Sequence, residues 1–331
     1  MDVKEIKELI PKDYVKQANR DLTVFTSSIF GETYVRLFKE LFGVDYSSIF
    51  FVVRKGNLMT FYRSEKDHQN HRKGFGEKLK DKEFASLVVK KLRKFTDLIN
   101  EFISKNDNLN KFLENKEEFV DNYREFFAYH QVVYWGGDYL AENYPELEQI
   151  ESLKEVYAYN ERVIPDVENY LVKLGIDHLK YDQSEGEFRE IGLFFFNNHE
   201  KVSLFGDDLE EIESYIKSLS KIDVNLKELK GISVSKGKIT GRVQVIKDPN
   251  KLNQAKEGFI LVTGMTRPQF NNILRKCKGI IADEGNVLSH ASILAREFGI
   301  PCIVRTKIAT EILKDNDLVE LDADNGVVRK I

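Results

Sequence analysis

The 331-residue sequence lacks the features that mark several large classes of protein. No apolar run approaches the roughly 18 residues of a membrane-spanning helix, so we expect no membrane span. The net charge is −4, and no basic excess points to nucleic acid or an anionic membrane as a partner. Because residues 1–5 also lack the apolar core of a signal peptide, we predict a cytoplasmic protein.

Cysteine is scarce, since the chain contains only Cys277 and Cys302. Two cysteines cannot build the disulfide framework of a small secreted domain. Both lie among apolar neighbours, so we interpret them as buried thiols without a redox or metal role. His68 and His71 lie three residues apart and can share one side of a helix, but no third metal ligand is evident nearby. We therefore predict no metal site.

Nucleotide-binding motifs are missing as well. No G-x-x-x-x-G-K-[ST] sequence occurs, and Gly237 and Gly241 have the wrong spacing for one. Strands and helices do not alternate over a stretch long enough for an eight-stranded barrel. We therefore expect any nucleotide that serves this protein to bind elsewhere.

What the sequence does have is a change of pattern near residue 220. Up to there, long and aromatic-rich helical periodicities dominate, whereas short strands, turns and glycines follow residue 230. The length suits two domains. We predict an α+β, multi-domain protein with a mostly helical domain 1–220, a linker 221–230 and a β/β/α domain 231–331.

In the first domain, apolar spacing predicts helices near 3–18, 30–42, 82–105, 115–135 and 146–173. Pro165 must kink or restart the last of them. Two hairpins are predicted, at 48–63 around the turn 55–57, and at 194–205 around Asn197-Asn198. A short helix from Asp207 to about residue 218 completes this domain.

The predicted helix 115–135 carries a row of aromatic side chains that fits two interpretations. Tyr123, Phe127, His130 and Tyr134 can line a pocket for a small acceptor molecule, with His130 as a base for its hydroxyl or amine. Trp135 belongs to the same group. The residues also fit an ordinary core in which His130 is a satisfied buried histidine, and the sequence leaves both interpretations open.

In the second domain, strands are predicted at 239–247, 259–263, 279–282, 300–304, 318–321 and 326–329, and helices at 267–277 and 290–298. Ser289 is a favoured N-cap residue ahead of the second helix, so His290 lies at its start, off the apolar stripe. Backbone N–H groups there bind phosphate, and a neutral imidazole is a nucleophile at pH 7. Taken alone, the position also fits a histidine with one local hydrogen bond.

Four motifs in order give this domain a specific resemblance. They are Val234-Ser235-Lys236-Gly237 with Gly241-Arg242-Val243, Ile260-Leu261-Val262 with Thr266-Arg267-Pro268, Gly285 with Ser289-His290-Ala291, Ala295-Arg296-Glu297 and Gly299-Ile300-Pro301, and Asp315, Val319 and Asp322 with Gly326-Val327-Val328. The segment 231–331 resembles the mobile, swivelling phosphohistidine domain of phosphoenolpyruvate-utilising enzymes. That family includes phosphoenolpyruvate synthase, pyruvate phosphate dikinase, rifampicin phosphotransferase and enzyme I of the sugar phosphotransferase system.

The resemblance implies roles for individual residues. His290 is the residue phosphorylated, Thr266 supplies a hydroxyl near the ring or caps a helix, and Gly285 supports a tight turn. Arg296 matches a family arginine but lies six positions beyond His290, which favours a structural ion pair or docking contact over phosphate binding. Ser289 stands beside the nucleophile. This chain departs from the family at three positions: Asn286 replaces a glycine, Leu288 a threonine, and Arg305 a frequent glycine.

The resemblance also implies partners. Family enzymes take the phosphoryl group from ATP on an ATP-grasp domain or from phosphoenolpyruvate on a barrel domain, and this sequence shows neither. We therefore expect a split phosphotransferase in which Mg2+ and ATP, or phosphoenolpyruvate, bind a separate donor protein, and residues 1–220 hold a small-molecule acceptor. The alternatives are a phosphocarrier that serves another protein, and a non-catalytic regulatory docking module.

Overall fold

The computed structural model describes residues 1–54, 58–160, 162–176, 190–197, 200–219, 226–247, 257–266, 270–287 and 289–331. The chain divides into two compact units, Met1–Ser220 and Lys221–Ile331. Each unit contains helices and strands, which confirms the predicted α+β class.

The first unit contains eleven α-helices within its described residues. They are α1 Val3–Leu9, α2 Val24–Glu32, α3 Phe38–Phe42, α4 Glu65–Leu79, α5 Lys82–Lys105, α6 Leu109–Glu114, α7 Lys116–Gln131, α8 Gly137–Asn143, α9 Gln149–Asn160, α10 Val163–Lys173 and α11 Gly206–Leu219. Two π-helical segments, Thr33–Leu37 and Val132–Gly136, continue α2 and α7. The predicted helix 82–105 is confirmed as α5.

Two helix predictions need correction. The helix predicted for 3–18 ends at Leu9, because Pro11 disfavours a helical conformation at Ile10, which is extended (φ −73°, ψ 120°). The helix predicted for 146–173 is two helices. Pro165 lies in the first turn of α10, where a proline needs no backbone N–H partner, so the chain restarts there.

A five-stranded antiparallel sheet also belongs to this mostly helical unit. Its strands are β1 Tyr14–Asp21, β2 Ser48–Arg54, β3 Leu58–Ser64, β4 Ile191–Phe196 and β5 Lys201–Leu204, in the order β1-β3-β2-β4-β5. Both predicted hairpins are confirmed, and pairing of β2 with β4 joins them into one sheet. The predicted turn 55–57, and Asn198 of the second turn, lie outside the described residues.

The two faces of this sheet follow the two-residue alternation of strands. Phe50, Tyr62 and Phe194 belong to a core cluster with residues of α1 and α11. The side chains between them along the strands, such as Phe61 and Arg63, point to the opposite face. Arg63 is fully buried there, with its guanidinium carbon 5.1 Å from the centre of the Trp135 ring.

The second unit consists of one eight-stranded sheet and three short helices within its described residues. The strands are β6 Glu228–Lys230, β7 Ile232–Ser235, β8 Lys238–Val245, β9 Ile260–Thr263, β10 Gly279–Ala282, β11 Cys302–Val304, β12 Leu318–Asp322 and β13 Val327–Lys330, in the order β6-β13-β12-β8-β9-β10-β11-β7. The helices are α12 Asn271–Leu274, α13 His290–Phe298 and α14 Ala309–Ile312.

Two predictions for this unit were too coarse. Residues 228–230, which we assigned to the linker, form β6 and pair with β13, because Leu229 buries its side chain between two exposed neighbours. The helix predicted for 267–277 is α12 within the described residues, and 267–269 lie outside them. In contrast, β10 and α13 begin and end at the predicted residues.

The predicted β/β/α layering arises because β8 takes part in two arrangements. Its first half pairs antiparallel with β12, and its second half pairs parallel with β9. Strands β8 to β11 are parallel neighbours, and β9, β10 and β11 are buried on both faces. Leu261 and Ile280 pack on the helix side, whereas Val262 and Ile281 pack toward β12 and β13.

Candidate functional site

The predicted site residues of the second unit gather at the carboxyl edge of its parallel strands. Thr266 follows β9, the turn 283–289 follows β10 and leads to His290, and Arg305 follows β11. In open parallel sheets, ligands bind beyond this edge of the strands. The backbone of His290 begins α13, while its imidazole, like Leu288 and residues 267–269, lies outside the described part of the structure.

Main-chain hydrogen bonds fasten the three loops at this edge to one another. Asp283 N donates to Thr263 O at 3.0 Å and Glu284 N to Gly264 O at 2.9 Å, which ties the loop after β10 to that after β9. Lys307 N donates to Asp283 O at 3.1 Å, which ties it to the loop after β11. The turn that precedes His290 is therefore held from both sides.

The carboxylate of Asp283 adds side-chain hydrogen bonds to these main-chain hydrogen bonds between the loops. It accepts hydrogen bonds from Thr306 Oγ1 at 3.0 Å and from Thr310 N at 3.2 Å. Burial raises the pKa of the Asp283 carboxyl above its ordinary value, although these donors lower it in part. Asp283 thus fixes the loop after β11 and the start of α14 to the histidine turn.

Ser289 occupies the N-cap position of α13, but its hydroxyl does not cap the helix. Instead Ser289 Oγ donates to Asn286 O at 2.8 Å and lies 2.9 Å from Ser292 Oγ, which bonds the same carbonyl. The first-turn N–H groups of α13 are therefore not occupied by the N-cap side chain. Such groups, with the helix dipole, are the ones that bind phosphoryl oxygens.

Gly285 adopts φ +119°, a conformation that L-residues with a side chain rarely take. A Cβ at this position would lie 3.0 Å from Ser289 Oγ and 3.3 Å from Val304 Cβ. Glycine therefore lets the turn pack closely against both the helix start and β11. This geometry fits the tight turn that the resemblance implies.

The two remaining predicted site residues of this unit are Arg296 and Thr266. The Arg296 guanidinium donates to Val287 O at 3.1 Å and to Val234 O at 3.5 Å, so it links α13 to the histidine turn and to β7. In the described part of the chain Arg296 forms no ion pair, contrary to one of our two interpretations. Thr266 is buried just beyond β9.

Arg305 also lies at this edge, although no role was predicted for it. Arg305 adopts φ +59°, a left-handed conformation that explains why a glycine is frequent there in the family. Its backbone stands at the carboxyl end of β11, level with the histidine turn, since Thr306 N donates to Ala282 O at 3.2 Å. The signal for a role was the replacement of a glycine by a cation shortly after Ile300-Pro301.

The predicted acceptor residues of the first unit are all buried. Phe127 stacks on Phe30 with ring centres 3.6 Å apart, and Tyr123 stacks on Phe126 at 5.9 Å. His130 lies between Tyr134 and Tyr157, and burial lowers its pKa to about 4. Tyr123 and Phe127 thus belong to the core, whereas Tyr134 contacts Trp135 at a group of buried polar side chains.

Other predicted features can be placed as well. Cys277 and Cys302 are free, buried thiols, and burial raises the pKa of Cys277 to about 12. No described helix is both long and apolar enough to cross a membrane. Over the same residues, no three His, Cys, Asp or Glu side chains come together as a metal site.

Comparison with known proteins agrees with the C-terminal geometry. Residues 255–326 match the sequence model of the family described as PEP-utilising enzyme, mobile domain. The chain is 40% identical over 127 residues to a probable phosphoenolpyruvate synthase of Methanothermobacter thermautotrophicus. The matched segment covers 38% of this chain and 17% of that protein. It is 34% identical over 173 residues to a probable phosphoenolpyruvate synthase of Archaeoglobus fulgidus. That matched segment covers 51% of this chain and 23% of that protein.

A third relative is the uncharacterized phosphotransferase YvkC of Bacillus subtilis, 43% identical over 98 residues, or 30% of this chain and 12% of that protein. The matches span less than a quarter of the length of each of these three relatives. They confirm the resemblance drawn from the motifs: residues 255–326 of the C-terminal unit match the mobile domain of phosphoenolpyruvate-utilising enzymes.

Proposed function

We propose that this chain is the carrier component of a phosphotransferase, in which His290 accepts a phosphoryl group from a donor and passes it to a small molecule. The observation that carries the proposal is the position of His290. It is the first residue of α13, at the carboxyl edge of β9 to β11, inside the segment that matches the mobile domain. The uncapped first turn of that helix offers N–H donors to a phosphoryl group.

The chemistry has two displacements at phosphorus. A neutral ring nitrogen of His290 attacks the donor, a P–N bond forms, and the P–O bond to the leaving oxygen breaks with its electron pair. An acceptor oxygen then attacks the same phosphorus, and the electron pair of the P–N bond returns to the ring. The acceptor proton passes to a base, so the histidine is regenerated in its neutral form.

The donor in this proposal is Mg2+-ATP on a separate ATP-grasp protein, with phosphoenolpyruvate as the alternative source. Two observations support an external donor: the sequence has no phosphate-binding loop motif, and the described residues contain no group of metal ligands. The acceptor in this proposal binds within residues 1–220.

Intact mass measured under alkaline conditions tests the carrier step. The full chain is incubated with Mg2+-ATP and a purified ATP-grasp protein encoded beside it, with ATP alone, and with phosphoenolpyruvate. We expect an acid-labile gain of one phosphoryl group with one of these donors. Acid lability distinguishes a phosphohistidine from a phosphate ester on serine or threonine.

Two variants make the result specific. His290→Gln keeps a polar side chain of similar reach but removes the nucleophile, and it should gain no mass. His130→Gln replaces another histidine and should leave phosphorylation of His290 intact. Equal labelling of His290→Gln, or no labelling of the parent chain by any donor, contradicts the proposal and favours a docking module.

A further inference from the structure

Helix α13 exposes an apolar side chain close to His290. Ile293 is 39% exposed, whereas the other large apolar side chains on the three helices of the second unit are buried or half-buried within the described part of the chain. Residues three apart on a helix are neighbours on its surface, so Ile293 lies beside position 290. The core beneath α13 is contacted from the other side of the helix, by Ala291 and Ala295. Ile293 is therefore available to a partner.

Further apolar surface lies on the same helix and on the turn before it. Val287 in the turn, and Leu294 and Phe298 on α13, pack against the core but are only partly buried, so each leaves apolar surface exposed. Apolar surface around a reactive residue is typical of a contact with another protein. The sequence immediately before and after His290 thus supplies the apolar part of a docking surface.

Arg296 adds a positive charge three positions beyond Ile293. Its guanidinium donates to Val287 O at 3.1 Å and to Val234 O at 3.5 Å, and no carboxylate among the described residues pairs with it. A guanidinium has five N–H donors, so these two hydrogen bonds fix its position and leave donors for a partner. Because the side chain is already ordered, binding to it costs little conformational entropy.

The exposed charges on this side of the unit are mostly positive. From α12 to the end of α13 the described residues expose four cations and one carboxylate, namely Arg275, Lys276, Lys278, Arg296 and Glu297. On the sheet, in contrast, the cation of Arg329 pairs with Glu228 and with Glu320, each at 3.0 Å. A partner with an acidic surface therefore complements the helix side.

Phosphoryl transfer from a protein donor requires that protein to cover this surface. The donor must bring its phosphorus within bonding distance of His290. With a rise of 1.5 Å per residue, Ile293 and Arg296 lie only about 4.5 Å and 9 Å further along the helix axis. A stable protein interface covers about 800 Å² on each partner, or a patch about 30 Å across. A protein that docks at His290 with such an interface covers both residues.

A separate donor depends on these contacts more than the acceptor does. In the proposed function the acceptor binds within residues 1–220, and linkage within one chain supplies an effective concentration of about 1 mM, so transfer to it needs little surface affinity. We propose that Ile293 and Arg296 form the docking surface for a separate donor protein, whose matching surface is apolar and carries a carboxylate that binds Arg296. This inference rests on the proposed carrier function.

The kinetics of His290 phosphorylation test the docking surface. The full chain is the varied substrate of a small, fixed amount of the purified ATP-grasp protein with Mg2+-ATP, and intact mass under alkaline conditions measures the product. Ile293→Ala should raise KM by about tenfold, through lost apolar contact, and Arg296→Gln by about fivefold, through a lost charged hydrogen bond. Arg296→Lys should raise KM less, and kcat should change by less than about twofold in all three variants.

Two matched variants and a small reagent serve as controls. Leu318→Ala truncates a side chain that is 37% exposed on β12, and Lys230→Gln removes one positive charge from β6. Neither should change KM by more than about twofold. Phosphoramidate is a phosphoryl donor that needs no protein surface, and it releases ammonia as the P–N bond to His290 forms. It should phosphorylate Ile293→Ala at the parent rate.

The deciding variant is Ile293→Ala, because Arg296 also holds the turn through its hydrogen bonds. Equal KM values for Ile293→Ala and Leu318→Ala, or slower reaction of Ile293→Ala with phosphoramidate, would overturn this inference alone. Phosphorylation of the parent by free Mg2+-ATP or phosphoenolpyruvate, without a second protein, would also overturn it and leave the carrier function standing. If only phosphoramidate phosphorylates His290, the proposed function and this inference both fail.

Discussion

The two units of this protein are built around interiors of different chemistry. The first unit packs aromatic rings with buried charged and polar side chains such as Arg63, His71 and Glu168. The second unit has two largely aliphatic cores, in which Ile280 and Ile281 of one strand face opposite sides. Polar groups in the second unit gather instead where the parallel strands end.

Because of this difference, the two units place functional groups in different positions. An aliphatic sheet displays reactive groups on the loops at its edge, as the turn before His290 shows. A mixed interior can hold a ligand inside, but it must satisfy every polar group that it buries.

The largest effect should come from the buried ion pair of the first unit. Arg72 is buried and binds Asp138, which is fully buried, and Glu142, each at 2.6 Å. Arg72→Met would remove this cation from a buried carboxylate and should lower the free energy of unfolding by about 4 kcal/mol. Urea denaturation followed by Trp135 fluorescence measures it.

The exposed pair of Lys82 and Glu148 is the control for Arg72→Met. Lys82→Met should leave the denaturation midpoint unchanged, because solvent screens that pair. Equal shifts in the two variants would contradict the view that buried polar groups stabilise the first unit.

In the second unit, the corresponding effect should come from aliphatic packing. Ile281→Ala removes a fully buried side chain from β10 and should cost about 3 kcal/mol, through lost apolar contacts and a cavity. Hydrogen exchange of peptides from β9 to β11 measures the loss locally.

Ile293→Ala on α13, where the side chain is 39% exposed, should cost less than about 1 kcal/mol. Equal protection from hydrogen exchange in Ile281→Ala and Ile293→Ala would contradict a tightly packed core around β10.

The pH dependence of the first unit should report the buried Glu168. Burial raises its pKa from 4.5 to about 7, against the hydrogen bonds from Thr23 and Thr26 that lower it. Because the folded state holds its proton up to a higher pH than the unfolded state, Glu168 contributes stability that is present at low pH. That contribution is lost as pH rises through 7.

Denaturation of the parent and of Glu168→Gln at several values between pH 5 and pH 8 isolates this contribution. The parent should lose about 2.5 kcal/mol more than the variant over this range, and glutamine can still accept the 2.8 Å hydrogen bond from Thr23 N. Exposed acids titrate alike in both proteins and cancel. Parallel stability curves would show that Glu168 is ionised in the folded protein throughout.

The smallest effect should come from the turn before His290. Gly285→Ala forces a side chain onto φ +119° and against Ser289 Oγ, so we expect a loss of about 1 kcal/mol and slower phosphorylation of His290. Gly264→Ala, in the neighbouring loop, meets no atom within 4 Å and is the matched control. If both variants accept phosphate at the parent rate, the close approach of this turn has no part in transfer.

Prediction from sequence succeeded best where local pattern and tertiary environment agree. Strand β10 is an unbroken apolar run bounded by turn residues, and α13 follows a favoured N-cap residue, so both were placed to the residue. Strand β1 was not predicted, because we assigned residues 3–18 to a helix and did not take Pro11 as the signal that ends it. The pairing of β2 with β4, which are far apart in sequence, also had no local signature.

The candidate sites differ in the same way. The position of His290 followed from a contiguous motif, because a turn, an N-cap residue and a helix start are neighbours along the chain. Its hydroxyl neighbour Ser289 was identified, but not that it bonds Asn286 O in place of the helix N–H groups. His68 and His71 were predicted to share one side of a helix. Periodicity does not predict which side chains from other segments surround them.

Residue patterns within about a dozen positions were enough to predict the two regimes, the layered C-terminal domain and its histidine. Tertiary packing, in contrast, joins the two hairpins of the first unit into one sheet and buries both Arg63 and His71. The physical reason is distance along the chain. Contacts between remote segments are selected by the collective packing of the whole unit, and no local spacing encodes which polar groups it will bury side by side.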